Sequence, residues 1–167
     1  MESSILNRQR LEGYEIILAS QPEDFEAAGK LFREYAASLE IDLCFQNFED
    51  ELQNLRTHYD LPTGALVLVS KDAEYVGCAG IRRIDTRIGE LKRMYVKPAE
   101  RGSGIGGILL EQATDAARNL RYEYLRLDTL GSMARALKLY RQSGFYDIPP
   151  YYPNPEKDVL YLEKKLL

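Results

Sequence analysis

Histidine is nearly absent from this chain, tryptophan is missing altogether, and cysteine occurs only twice. His58, Cys44 and Cys78 show neither CxxC nor paired-histidine spacing, so the sequence offers no zinc-ligand set and no disulfide framework. Long apolar runs are missing too. The longest, Ala65 to Val69, is far too short to span a bilayer, and the opening residues MESSILNRQRLEG contain no apolar signal segment. A cytoplasmic protein without membrane contact is therefore expected. Basic charge is not in excess: 22 Lys and Arg stand against 26 Asp and Glu, a net charge of -4. A nucleic-acid partner, which calls for a basic patch facing phosphates, is disfavoured. Internal repeats and low-complexity tracts do not occur.

What is present describes one ordinary globular unit. At 167 residues, 45% hydrophobic and 29% charged, the chain fits a single packed domain. Residues 1–12 are polar and aperiodic and read as a flexible lead-in, with the domain covering 13–167. Tyr14 to Ala19 is a β-branched, apolar strand. Pro22, Glu23 and Asp24 then open a helix to about Leu39, whose apolar positions Phe25, Ala28, Leu31, Phe32, Tyr35 and Leu39 recur every three or four residues. Phe48 to Arg56 reads as a second helix. Ala65–Ser70 and Glu74–Ile84 read as two strands joined by a hairpin turn, and Gly89–Lys97 as a third.

A glycine-rich loop follows and leads into a helix over 104–119; then come a strand over 123–129, a helix over 132–142 that Gly144 ends, and strands over 145–148 and 159–166. The order is β-α-α-β-β-β-α-β-α-β-β. The implied fold is α/β (α+β): a mixed, mostly antiparallel sheet of about seven strands flanked by about four helices.

The loop Arg101-Gly102-Ser103-Gly104-Ile105-Gly106-Gly107 lies between a strand and a helix, where unpaired helix N–H groups and the positive dipole end favour an anion. Small residues also occur where a helix packs closely on a sheet, so glycines alone leave both readings open. Gly102, Gly104 and Gly107 satisfy the dinucleotide-binding spacing, but the loop follows the fourth strand rather than the first. A Walker loop is excluded because no Gly-Lys-Ser/Thr follows the glycines.

Arg101, Gly104 and Gly106 together resemble the pyrophosphate loop Arg/Gln-x-x-Gly-x-Gly/Ala of the GNAT superfamily of acetyl-CoA-dependent N-acetyltransferases. Ala136 to Phe145 (ALKLYRQSGF) resembles that family's second signature, A-x-x-L-Y-x-x-x-G-F, and LKRMYVKP stands before the loop as the family requires. The resemblance is strongest over residues 65–147. It implies a sheet splayed at the cofactor site, with backbone of Met94 and Val96 bonding the pantetheine arm of acetyl-CoA and amides of Arg101, Gly102, Ser103, Gly104, Ile105 and Gly106 holding its pyrophosphate. It also implies an oxyanion contact from the Met94 or Tyr95 N–H. Tyr140 falls where many members place the general acid that protonates the departing thiolate. One position departs from the pattern: Met133 stands where many members carry a cofactor-contacting asparagine, leaving Ser132 or Arg135 to supply that contact.

A glutamate at the start of the strand feeding the loop, Glu90, is the expected general base, with Asp42 and Glu49 as alternatives. Arg82, Arg83, Lys92 and Arg93 lie on neighbouring strands. They either grip an acceptor carboxylate or phosphate, for which Arg83 and Arg93 are the expected contacts, or face solvent or pair with Glu90, Asp85 and Asp128. Tyr146, Tyr151 and Tyr152 of the tail would form an aromatic wall, with Tyr152 touching the acceptor. The expected activity is acetyl transfer from acetyl-CoA to a small-molecule amine, without a metal. The alternatives are a non-catalytic acyl-CoA sensor and an enzyme acting on a peptide or protein amine. A homodimer through the tail strand VLYLEKKLL is a further expectation.

Overall fold

The computed structural model describes residues 13–39, 42–43 and 47–167, so the expected lead-in over 1–12 and Cys44 lie outside the described residues. Strand β1 (Tyr14–Leu18) leads into helix α1 (Pro22–Ser38), whose start is fixed by Asp24: its carboxylate accepts the N–H groups of Ser20 and Gln21, both at 3.0 Å. Helices α2 (Phe48–Gln53) and α3 (Leu55–Tyr59) follow, then strands β2 (Ala65–Lys71), β3 (Glu74–Arg83) and β4 (Ile88–Val96). A short 3₁₀ turn, Pro98–Glu100, precedes helix α4 (Ile105–Asn119), strand β5 (Tyr124–Leu130), helix α5 (Ala134–Gln142) and strands β6 (Tyr146–Ile148) and β7 (Val159–Lys165).

Five helices are described where the sequence pattern suggested about four. The stretch expected as one helix over 48–56 breaks at Asn54, whose backbone leaves the helical region (φ -130°, ψ 39°) while its side-chain amide donates to the Asp50 carbonyl. The hairpin between β2 and β3 closes on two residues with positive φ, Asp72 and Ala73, the geometry whose twist matches that of the strands it joins.

The seven strands form one sheet in the order β1-β2-β3-β4-β5-β7-β6, antiparallel except where β4 meets β5. Strand β2, next to the edge strand β1, is apolar on both sides, as a strand covered on both faces must be. Val67 and Val69 face a core built on α4 with Leu109, Leu110 and Ala113, while Leu66 and Leu68 face a second core built on α1 with Phe25, Leu31 and Phe32. One expectation is corrected here. The tail strand β7 lies between β5 and β6 and so has no free edge with which to pair across a two-fold axis; among the described residues the edge strands are β1 and β6.

The parallel contact of β4 with β5 is short. It runs from Ile88 opposite Tyr124 to Glu90 opposite Arg126 and stops, although β4 continues to Val96 and β5 to Leu130. Beyond that point the two strands part, and a V-shaped opening lies in the middle of the sheet.

Candidate active site

A cavity of about 1020 Å³ fills this opening. Its walls are β4 from Leu91 to Val96, β5 from Leu127 to Leu130, helix α5, and the ends of α1 and of the tail loop.

The side of β4 beyond Glu90 has no strand paired to it, although the Val96 carbonyl there accepts the Arg101 side chain. The Lys97 N–H bonds the Val76 carbonyl on β3, so alternation turns the peptide groups of Val96 away from β3 and toward the gap. Next to it the strand bulges: Cys78 stands opposite Tyr95 and Gly80 opposite Lys92, which leaves Arg93 and Met94 facing one residue. Arg93 takes a left-handed backbone (φ 57°), and its carbonyl accepts the Cys78 thiol at 3.2 Å. The bulge sends the Arg93 side chain into the α1 side, where it forms a two-pronged bond with Glu51 of α2 at 2.8 and 3.2 Å. Met94 falls back to the α4 side, against the cavity.

At one end of the gap lies the glycine loop. Gly102 and Gly104 both have left-handed backbones, with φ of 85° and 90°, and a Cβ at either would touch nothing within 4 Å, so conformation rather than space demands glycine. Gly104 caps α4, leaving the first N–H groups of that helix without helical partners and without an acid in the first turn. Arg101 folds back along β4, its Nε donating to the Val96 carbonyl at 3.0 Å.

Tyr140 of α5 enters from the opposite wall. It is 8% exposed and packs edge-on against Phe145, with ring centroids 5.9 Å apart. Burial lifts its hydroxyl well above the usual tyrosine range, and the nearby Tyr35 and Asp128 push the same way.

Beyond Tyr140 is a set of buried charges. Glu51 is met by Arg93 and, at 3.8 Å, by Arg82; Glu90 is met by Arg82 at 3.1 Å and Lys92 at 3.7 Å. Burial lowers the Lys92 ammonium, with Glu90 partly opposing. The Tyr151 hydroxyl donates to Glu90 at 2.7 Å and the Tyr152 hydroxyl to Asp128 at 2.6 Å. Tyr151, Tyr152 and Tyr161 stack edge to face with centroids 5.3 to 5.7 Å apart, so the tail loop forms a wall locked to these two acids.

Of the residues picked from sequence, Lys92, Arg93, Met94, Tyr95, Val96, Arg101, Gly102, Gly106 and Tyr140 share this cavity's lining, as do Ser132, Met133 and Arg135. Ser103, Gly104 and Ile105 belong to the same loop but not to the lining; Ile105 is buried in the α4 core. Glu90 also lies off the lining, its carboxylate held by Arg82, Lys92 and Tyr151. Tyr152 stands behind Asp128 rather than at the cavity surface. Arg83 is exposed near the β3–β4 turn and does not reach the cavity, Asp42 is exposed, and Glu49 is exposed and pairs with Arg33. Tyr146 is exposed and donates to Glu163, which raises its hydroxyl to about 12.

The lining also includes residues that the sequence did not single out for the site: Asp128, Tyr35, Asn154 and Glu156. For Asp128 a signal existed, since Leu125 and Leu127 alternate with Arg126 and Asp128 along β5, putting a charged pair on one face of an interior strand. Tyr35 and Leu39 sit on the apolar stripe of α1 yet run past the core into the cavity wall.

Comparison with known proteins agrees with this geometry. The sequence model of the Acetyltransferase (GNAT) family matches residues 29–145. An uncharacterised N-acetyltransferase of Schizosaccharomyces pombe is 34% identical over 148 residues, covering 87% of this chain and 90% of the relative. Among solved structures, an acetyltransferase from Streptococcus agalactiae superposes with a TM-score of 0.76 at 24% identity, covering 93% of this chain and all of that one. A GNAT family acetyltransferase from Elizabethkingia anophelis, solved with acetyl-CoA bound, superposes with a TM-score of 0.65 at 21% identity, covering 93% of this chain and 100% of that one.

Proposed function

Because this chain belongs to the GNAT acetyltransferase family, we propose that residues 13–167 form one catalytic domain that transfers an acetyl group from acetyl-CoA to the amine of a small molecule. The observation that carries this reading is the early end of the β4–β5 pairing. It leaves a strand-width gap with β4 backbone that no strand pairs, a helix N-terminus at one end and a buried tyrosine at the other.

The residues fit the cofactor. Pantetheine is an extended chain with two amides, and the outward peptide groups of Met94 and Val96 present donors and acceptors with the repeat of a β-ladder. The pyrophosphate suits the α4 N-terminus, where Gly102 and Gly104 let backbone amides approach its oxygens. Arg101 adds a positive charge, and Ser132 and Arg135, on the cavity lining beside Met133, would contact the cofactor there. When bound, acetyl-CoA supplies the activated acetyl group; the chain's own task is to position and protonate.

Attack of an amine on a thioester places negative charge on the carbonyl oxygen and then on sulfur. Of the two N–H groups expected to meet the first charge, that of Met94 shares the gap side with Val96 and would serve, while that of Tyr95 lies on the β3 side beside Cys78. Tyr140 meets the second, because its buried hydroxyl keeps its proton until sulfur departs. Glu90 acts at one remove: it anchors Tyr151, Arg82 and Lys92 and so sets the floor of the acceptor end. Arg93, tied to Glu51, holds the bulge, and Tyr152 steadies Asp128.

A small acceptor is favoured by the size and lining of the cavity. The end of the cavity beyond Tyr140 is bounded by Tyr35, Leu39 and Leu43 on one side and by Asn154 and Glu156 of the tail loop on the other. Pantetheine and acetyl occupy much of the volume, which leaves room for a compact molecule rather than a folded protein surface.

The test combines calorimetry with a free-thiol release assay across amino acids, polyamines, aminoglycosides and short peptides. Expected are acetyl-CoA binding and accelerated thiol release with at least one small amine. Binding without release from any class would favour the sensor reading, and release with peptides alone would move the acceptor class.

A further inference from the structure

The acids around the acceptor end are unequally matched. Glu51 and Glu90 each meet two cations within 4.0 Å. Asp128 lines the cavity, yet among the described residues it forms no ion pair; its Oδ2 accepts the Tyr152 hydroxyl, and its Oδ1 accepts no hydrogen bond. The Lys92 ammonium on the same lining is close enough to act on Asp128 electrostatically but is paired with Glu90; a carboxylate that no cation touches at a cavity wall, where its neighbours are neutralised, is arranged for a cation from outside.

Its place in the fold fits that role. Glu90 and Arg126 form the last β4–β5 pair, and Asp128 is two residues further along β5, the first residue on that face after the strands part. It is close enough to Tyr35, Tyr140 and Tyr151 to act on the titration of all three hydroxyls, and so stands next to the group that serves the leaving sulfur.

We propose that Asp128 is the ammonium subsite and proton acceptor of this enzyme, so that its substrates are basic primary amines that arrive protonated. The assignment rests on the transferase reading given above. Alkylamines titrate at roughly 10, so at neutral pH the acceptor enters as an ammonium and forms an ion pair with Asp128. Asp128 takes one proton from nitrogen and passes it to solvent. The freed lone pair forms the N–C bond, the C–S bond breaks, and the thiolate takes the proton of Tyr140. The remaining surplus nitrogen proton returns to Tyr140, so amide and free thiol form with release of one proton overall. Tyr152 and Asn154, which donates to the Tyr152 oxygen at 3.2 Å, hold the carboxylate in place.

The experiment compares wild type, Asp128→Asn and Asp128→Glu with two acceptor types: a basic alkylamine, and hydroxylamine, which is uncharged at neutral pH. Asp128→Asn is expected to lower kcat/KM for the alkylamine by about 100-fold while costing hydroxylamine only a few-fold, with Asp128→Glu restoring part of the alkylamine rate. Equal losses for both acceptors would overturn the proposal. A second measurement uses the CoA-saturated protein and a series of alkylammonium salts in thermal unfolding. Stabilisation of wild type but not of Asp128→Asn supports the subsite, and equal responses sink it. Wild type that transfers to no amine counts against the transferase reading alone, because the alkylammonium comparison still judges Asp128. Circular dichroism verifies folding, and Tyr152→Phe, which removes the support of the carboxylate without altering its charge, is expected to weaken alkylamine use in the same direction.

Discussion

A phenol in water loses its proton at about pH 10, and Tyr140 is withdrawn from water by α5, Phe145 and the sheet. The phenolate would be buried without a cation to meet it, so the proton is held well past that point. Two outcomes follow for the proposed acid. Tyr140→Phe, which keeps the ring and its packing, is expected to lower kcat by about 100-fold and leave acetyl-CoA affinity within a few-fold, measured by thiol release and calorimetry. Because the folded-state titration is raised, the protonated form persists as pH rises, and the wild-type rate should show no falling limb from this group below about pH 10. Tyr140 was legible from its neighbours in sequence, Ala136, Leu139, Gly144 and Phe145. For Asp128 the alternation along β5 marked its face, but that pattern says nothing about whether a cation will stand opposite it.

At the scale of elements, the decisive contact is between α2 and β4. Arg93 sits at the bulge with a left-handed backbone that a non-glycine residue adopts only at a cost, and its guanidinium is fixed by Glu51 with both side chains nearly inaccessible, at 4% and 2% exposure. Removing one partner strands the other charge in the interior. Glu51→Gln is expected to destabilise the fold by about 3 kcal/mol in urea titration and to weaken acetyl-CoA binding as the bulge loosens. The strands and the longer helices were readable from the sequence because each carries its own period. The break at Asn54 was not, since Glu49 to Arg56 holds no proline or glycine to announce it. Of the partners of the four basic residues on β3 and β4, Glu90 was legible in the sequence, and Arg82 and Lys92 do meet it; Glu51, which answers Arg93 and Arg82, was not, because it comes from a separate helix.

Over the whole molecule, two cores grip opposite faces of one sheet, and the cofactor gap interrupts that sheet at its centre. A ligand that replaces the missing ladder should therefore stabilise the entire fold. Acetyl-CoA at about 100 times its Kd is worth about 2.7 kcal/mol by linkage, which for a domain of this size raises Tm by about 5–10 °C, readable in a calorimetric scan. A Tm unmoved by acetyl-CoA at such concentrations would mean that the folded domain does not bind it.

The chain alone determined the order of its strands and helices, the glycines of the loop and the tyrosine of the last long helix, because period, turn chemistry and short motifs act between residues near in sequence. Tertiary structure alone decided which charges are neutralised, where β4 leaves β5, and that Asp128 faces the gap while Arg83 turns to solvent. Those outcomes depend on pairing between strands far apart along the chain, and a shift of one residue in register would exchange every inward side chain for an outward one.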